Sequence, residues 1–355
     1  MPKRSVAVAG AFAIFLLVLS GCGAKRHGLP VVGMGPTTLV IGTDDVSQNI
    51  PSEEMARAIK LVKEVNEFSK QRLHFKQSVN FQKYSNDNTV YFCVRLAPKG
   101  KLAYDYVQGE IKSMVFETLE EALEAAEKSK KTHDAYVYRL DAVAGGYPLT
   151  NAFVMLDKPR QVFLVLHEDW HDNVDFSLSL EEATGNIIGY VGAIEFFKKY
   201  EKDAAFAKDA ERSVHWALSK ARVVVKFYQK LEKLYAQKGI DESTREYART
   251  EIFKEAKKEC IEIDKKTGLT LSNLEFNNAT LSTWMTYDRY FDLAWRVYLG
   301  TGKNLKKTAA IFRSIRPLSD KSTLRRWFFG EQTVKEYEEE VIHYLEQFAD
   351  QLTNK

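Results

Sequence analysis

Residues 167 to 171 read His167-Glu168-Asp169-Trp170-His171, an H-E-x-x-H pattern. Two histidines four apart lie about one turn apart on an α-helix, so their imidazoles share a face and can grip one metal ion. Glu168 sits about 100° round from His167, close enough to act on a water at that metal without being a ligand. The pattern predicts Zn²⁺ and the zinc-assisted hydrolysis of peptides, with Glu168 as general base. The preceding run Val162-Phe163-Leu164-Val165-Leu166 is apolar on all sides, as in a helix that passes through a core. Two imidazoles and a carboxyl buried at its inner end are costly unless something compensates them. The competing reading is a pair of solvated histidines where the helix emerges.

A catalytic zinc takes three protein ligands and keeps one position open. Val174 and Ser177 occupy the places where a metzincin carries its glycine and third ligand. That leaves a carboxylate on a second helix, as in gluzincins. The next helix opens with Ser179-Leu180-Glu181-Glu182, and Gly185, Gly189 and Gly192 follow Glu182 along one face. A glycine inside a helix costs about 0.5–1 kcal/mol relative to alanine, so a stripe of three predicts a close approach by a neighbouring helix. If that neighbour is the motif helix, Glu182 points at the histidines and is the expected third ligand. Glu181 flanks the same stripe. Asp175 continues the histidine face at i+4 and is the other rival for third ligand, or else a partner that orients a histidine. Without a metal, Ser179 and Glu182 would form a capping box.

These residues need elements to hold them. The 355-residue chain is 45% hydrophobic and 28% charged with a net charge of +3, a composition for a large core and no basic stripe for nucleic acid. Lys3 and Arg4 precede an apolar run from Val6 to Leu19, and Leu19-Ser20-Gly21-Cys22 resembles the bacterial lipobox. Residues 1–21 are therefore expected to be a lipoprotein signal peptide. Cys22 would be the lipidated first residue of the mature chain, anchored to a membrane. Gly23 fits sorting to the outer membrane of a diderm cell, facing the periplasm. Residues 22–52, punctuated by Gly and Pro, read as a tether with one short strand at Thr38 to Ile41, and 53–355 as one domain.

In that domain Met55, Ile59, Val62, Val65 and Phe68 mark an amphipathic helix. Strands are expected at Thr89 to Leu96, Ala135 to Leu140 and Thr150 to Leu156, with a helix over Leu119 to Ser129 and a turn at Gly145-Gly146. Asn151 to Leu156 is the expected edge for pairing with substrate. Beyond His171 helical periodicity covers Glu181 to Tyr200, Asp209 to Gln237, Asp241 to Ile263, Leu274 to Leu299 and Val334 to Leu352. Cys93 and Cys260, in an exported chain, are either a disulfide or buried thiols. The expected fold is α+β, a zincin-like metallopeptidase with a small mixed α/β part followed by a mainly helical one.

Glu182-Ala-Thr-Gly185-Asn-Ile-Ile188-Gly189 and Asn277-Asn278-Ala279-Thr-Leu281 with Thr286-Tyr287 carry a family resemblance. Together with H-E-x-x-H and the lipobox, they resemble the bacterial lipoproteins known as the putative aminopeptidase family, over roughly residues 55 to 315. Asp169 and Trp170 depart from the small or apolar residues that the family has there. The resemblance implies an envelope aminopeptidase acting on peptides, with Zn²⁺ on His167, His171 and Glu182. Tyr287 is the expected oxyanion donor, or else a core tyrosine beside Tyr290 and Phe291. Asn277 and Asn278 are expected to cap a helix, bind substrate, or both. Asp169 and Glu275 are candidates for holding the substrate's α-amine, and exopeptidase and endopeptidase action both remain open. The reading of a different class is a metal-free envelope lipoprotein that uses a zincin-like fold as a binding scaffold.

Overall fold

The computed structural model describes residues 52–76, 78–82, 91–103, 111–140, 148–269, 271, 275–319 and 333–349. The expected signal peptide, Cys22, the tether up to residue 51 and the Gly145-Gly146 turn lie outside them. The first helix, α1 (Ser52–Phe68), buries Met55, Val62, Val65 and Phe68 on one face and continues as a π-helical turn over Ser69–Leu73. Three strands follow: β1 (Phe92–Pro98), β2 (Lys112–Phe116) and β3 (His133–Arg139), with α2 (Leu119–Ser129) before the third. They form one antiparallel sheet in the order β2-β1-β3, with Cys93 opposite Val115 on one side and Tyr138 on the other.

Side-chain alternation divides this sheet. Val94 and Leu96 join Ala122 of α2 in a small core of their own, whereas Cys93, Tyr136 and Tyr138 face the main core. Thr118 caps α2 by accepting from the Glu121 amide at 3.2 Å. The strand β2 has no counterpart among the sequence expectations.

The remainder is helical. A short α3 (Asn151–Val154) precedes the motif helix α4 (Lys158–His171) and the glycine-striped α5 (Leu178–Glu195), which ends in a π-turn at Phe196–Tyr200. Then come α6 (Ala204–Tyr235), α7 (Glu242–Thr267), α8 (Asn278–Asp288), α9 (Phe291–Gly300), α10 (Leu305–Arg313) and α11 (Val334–Ala349). The pair α4 and α5 forms the centre: α6 packs on both, α8 packs on α5 and on the sheet, and α9 joins α5 to α11. No helix among the described residues is long and apolar enough to cross a membrane.

Two expectations are corrected, and one open alternative is decided. The stretch from Thr150 is a helical turn and not a strand. The Thr150 hydroxyl accepts from the Phe153 amide at 3.3 Å, and the Gln161 amide donates to the carbonyls of Phe153, Val154 and Leu156 at 3.3, 3.0 and 2.9 Å. Those carbonyls are thereby closed to a pairing strand, and no substrate edge lies there. The single helix expected over Leu274 to Leu299 is two, α8 and α9, parted at Arg289-Tyr290. Cys93 and Cys260 are both free and buried rather than bridged. Burial pushes both thiols up, Cys260 to about 12, so neither is a nucleophile.

Candidate metal centre

The motif helix is fixed at both ends. Asp157 caps its start by accepting from the Arg160 amide at 2.8 Å, and Pro159 stands in the first turn, where its missing N–H costs nothing. At the far end the segment 76–80 supplies donors. Asp172 accepts from the Ser78 hydroxyl at 2.9 Å and the Asn80 amide at 3.2 Å, and Asn80 also donates to the Glu168 carbonyl at 3.1 Å. Asn173 donates to the Asp169 carbonyl at 2.7 Å and accepts from the Lys76 amide at 2.8 Å. Carbonyls that a helix end leaves open are thus satisfied, and His167 to His171 are held in a buried, regular last turn.

Against this face lies the glycine stripe. A Cβ on Gly185 would stand 3.2 Å from His167 Cε1 and 3.3 Å from Trp170 Cδ1. One on Gly189 would meet Phe163 Cδ2 at 2.8 Å, and one on Gly192 would meet Leu166 Cδ1 at 2.5 Å. The glycines therefore let α4 and α5 approach more closely than side chains would permit, as the stripe predicted. Ser177, not Ser179, is the N-cap of α5, so Glu182 belongs to no capping box.

The approach brings three atoms together. Glu182 Oε2 is 3.1 Å from His167 Nε2 and 3.8 Å from His171 Nε2, and the two Nε2 atoms are 3.3 Å apart. A tetrahedral metal ion with ligands at about 2.0–2.1 Å separates its ligand atoms by about 3.3 Å, so these three span the edges of one coordination face. His167, His171 and Glu182 are 1%, 3% and 1% exposed. Two imidazole nitrogens and a carboxylate oxygen are a borderline-soft donor set of the kind that holds zinc, and this group could hold a metal ion.

Glu181 has a different part. Its Oε2 lies 3.2 Å from His171 Nδ1 and its Oε1 accepts from the Phe176 amide at 2.9 Å, so it fixes the ring whose other nitrogen faces the centre. On His171, burial opposes a charge, but the carboxylates of Glu182 and Glu181 outweigh it and hold the imidazole up to about 9. His167 goes the other way, lowered to about 3 by burial and by the neighbouring His171. Burial raises Glu168, whose Oε1 is enclosed without a hydrogen-bond partner. The ring of Phe163 stacks on His167 with centroids 5.3 Å apart.

Other expected residues lie elsewhere. Asp175 is no ligand: its carbonyl and Oδ2 accept from the amides of Leu318 and Ser319 at 2.7 and 3.0 Å. Asp169 turns toward Ser78 and Asn80 and is pushed up to about 7, chiefly by burial. Trp170 donates to Thr184 Oγ1 at 2.9 Å and packs on Phe75 and Phe312. Asp169 and Trp170 therefore brace α4, the first toward Ser78 and Asn80 and the second against Thr184 of α5. Tyr287 is buried on α8, where its carbonyl accepts from Asn186 at 3.4 Å, one turn beyond Glu182. Asn277 caps α8 by accepting from the Thr280 amide at 2.9 Å and donates to the Ala135 carbonyl at 2.9 Å. The Asn278 amide donates to the carbonyls of Pro98, Lys99 and Lys101, so both asparagines tie α8 to the sheet. Glu275 is exposed ahead of that helix.

Sequence reasoning missed Ser78 and Asn80 as caps of α4. A polar pair in a short segment is a capping signal, but its partner lies some 90 residues on and no local pattern connects them.

Two histidines and a glutamate converge from two close-packed helices in a buried group that could hold a metal ion. A family model described as putative aminopeptidase matches residues 43–326, and the chain belongs to that family. Comparison with curated proteins and with solved structures finds no match.

Proposed function

We propose that the chain is a zinc-dependent aminopeptidase of the cell envelope with a zincin-like active site, tethered through a lipid on Cys22. The observation that carries this reading is the convergence of His167, His171 and Glu182 within a tetrahedral face, with Glu168 next to His167 in the same buried turn. Family membership supports peptides as substrates, and the lipobox supports the envelope. Zn²⁺ held there would lower the pKa of its water to about 7 and polarise the scissile carbonyl.

Every other part falls to the protein. Glu168 takes the water's proton and returns it to the leaving amine; its raised pKa and unpartnered Oε1 suit a base that must hold a proton for part of the cycle. Glu181 keeps His171 turned inward. Tyr287, on the helix packed against α5, is assigned as the oxyanion donor by the family resemblance.

The test is cleavage of an aminoacyl reporter by the purified chain. Glu168→Gln should lose about a hundredfold or more in rate while its zinc content stays that of wild type. Equal rates in variant and wild type would remove Glu168 from the reaction.

A further inference from the structure

The C-terminal helix α11 lies beyond the family match, which ends at residue 326, yet it reaches the element that carries the third ligand. Glu338 of α11 is buried, and its two carboxylate oxygens accept from different elements. Oε1 accepts from the Ser177 hydroxyl at 2.5 Å and Oε2 from the Tyr290 hydroxyl at 2.7 Å. Ser177 is the N-cap of α5, and its carbonyl accepts from the amides of Leu180 and Glu181 at 3.0 and 2.9 Å. An N-cap serine ordinarily turns its hydroxyl back to its own helix. This one is spent on α11 instead, and the helix start gains a carboxylate on the side where its dipole favours negative charge.

The same linker is gripped from a second direction. Leu318 and Ser319 donate to Asp175, as described above, and Tyr337 of α11 donates its hydroxyl to the Arg316 carbonyl at 2.7 Å. The stretch from Asp175 to Ser177 joins the two ligand-bearing helices. The C-terminal segments therefore hold the hinge between the histidines and their glutamate.

We infer that α11 and the metal centre are energetically coupled through Glu338 and Ser177. Docking of Glu338 sets the first turn of α5, and with it Glu182 as ligand and Glu181 as the orienter of His171. Coupling is reciprocal, so an ion in the centre must in turn tighten α11, although no residue of α11 is among the ligands. Glu338 is a positioning residue. The inference rests on the metal-centre reading above.

The experiment is hydrogen exchange of the full-length chain in detergent, with and without Zn²⁺, beside zinc affinities of Glu338→Gln, Ser177→Ala and the exposed control Glu339→Gln. Zinc should slow exchange over residues 334–349 in wild type. Glu338→Gln and Ser177→Ala should each bind zinc about tenfold more weakly, with the metal-free melting temperature little changed and the control like wild type. Ser177→Ala deletes a single oxygen and keeps the test open should Glu338→Gln fold poorly. Zinc bound at one per chain with unchanged exchange over 334–349, or wild-type affinity in both variants, would overturn the coupling. A wild-type chain that takes up no zinc would overturn the metal centre itself, and the coupling with it.

Discussion

Glu182 Oε2 and the two imidazole Nε2 atoms, buried within 3.1–3.8 Å of one another, must share protons when no metal is bound, because acceptors facing one another without a donor are costly to bury. Glu182 and Glu181 hold the His171 imidazole up to about 9, so without a metal that ring is protonated near pH 7, while His167 at about 3 stays neutral. Zinc needs both rings neutral, so its binding near pH 7 must expel the His171 proton. Below about 9 that proton competes with the metal. Apparent zinc affinity should therefore rise by about tenfold per pH unit from neutrality toward 9 and level off above. Calorimetry in buffers of different ionisation enthalpy reads the released proton directly, and an affinity flat across this range would mean that His171 is already neutral.

The pairing of the candidate ligands His167 and His171 was legible because helical periodicity fixes how residues four apart stand to each other. The roles of Glu181 and Glu182 separate only once α5 is docked. Neighbours in sequence are turned about 100° apart on a helix, so one faces His167 and the other reaches the far nitrogen of His171.

Among the elements, the contact of α4 with α5 is the one the centre depends on, and its closeness follows from the glycine stripe. At Gly189 an added methyl would meet the Phe163 ring at 2.8 Å and the Phe163 carbonyl at 3.0 Å. A ring can rotate, but a carbonyl moves only with its helix, so the two axes must part. Gly189→Ala should destabilise the protein by about 1–3 kcal/mol in chemical denaturation, despite alanine's better helix propensity. Gly100→Ala, where nothing stands within 4 Å, is the control expected to stay near wild type. A Gly189→Ala protein as stable as wild type would show that the helices have room to spare.

The long helices could be read from their apolar spacing. The α3 turn could not, because what makes it a helix is the Gln161 amide clamping three of its carbonyls from the next element. The break between α8 and α9 is likewise tertiary. Tyr290 stands outside both helices with its hydroxyl on Glu338 of α11, and nothing in the local apolar pattern interrupts the run there.

For the whole molecule, the order of elements places a three-stranded sheet beside a helical body, with α8 bridging the two through Asn277 and Asn278. The mixed α/β composition with a mainly helical second part could be read from the sequence. β2 escaped because its five residues show little burial contrast, all being exposed or half-buried. Also illegible was the joining of α11 to the linker between the ligand helices, which depends on pairs 161 residues apart such as Ser177 with Glu338. Spacing therefore pointed to the candidate ligands, and long-range hydrogen bonds supply the frame that holds them. Metal content after dialysis of the purified chain against trace zinc reads the occupancy of the centre itself. Wild type and Glu168→Gln should each retain one zinc per chain, whereas His167→Ala and Glu182→Ala should retain little. A wild-type chain with no more zinc than His167→Ala would contradict the account.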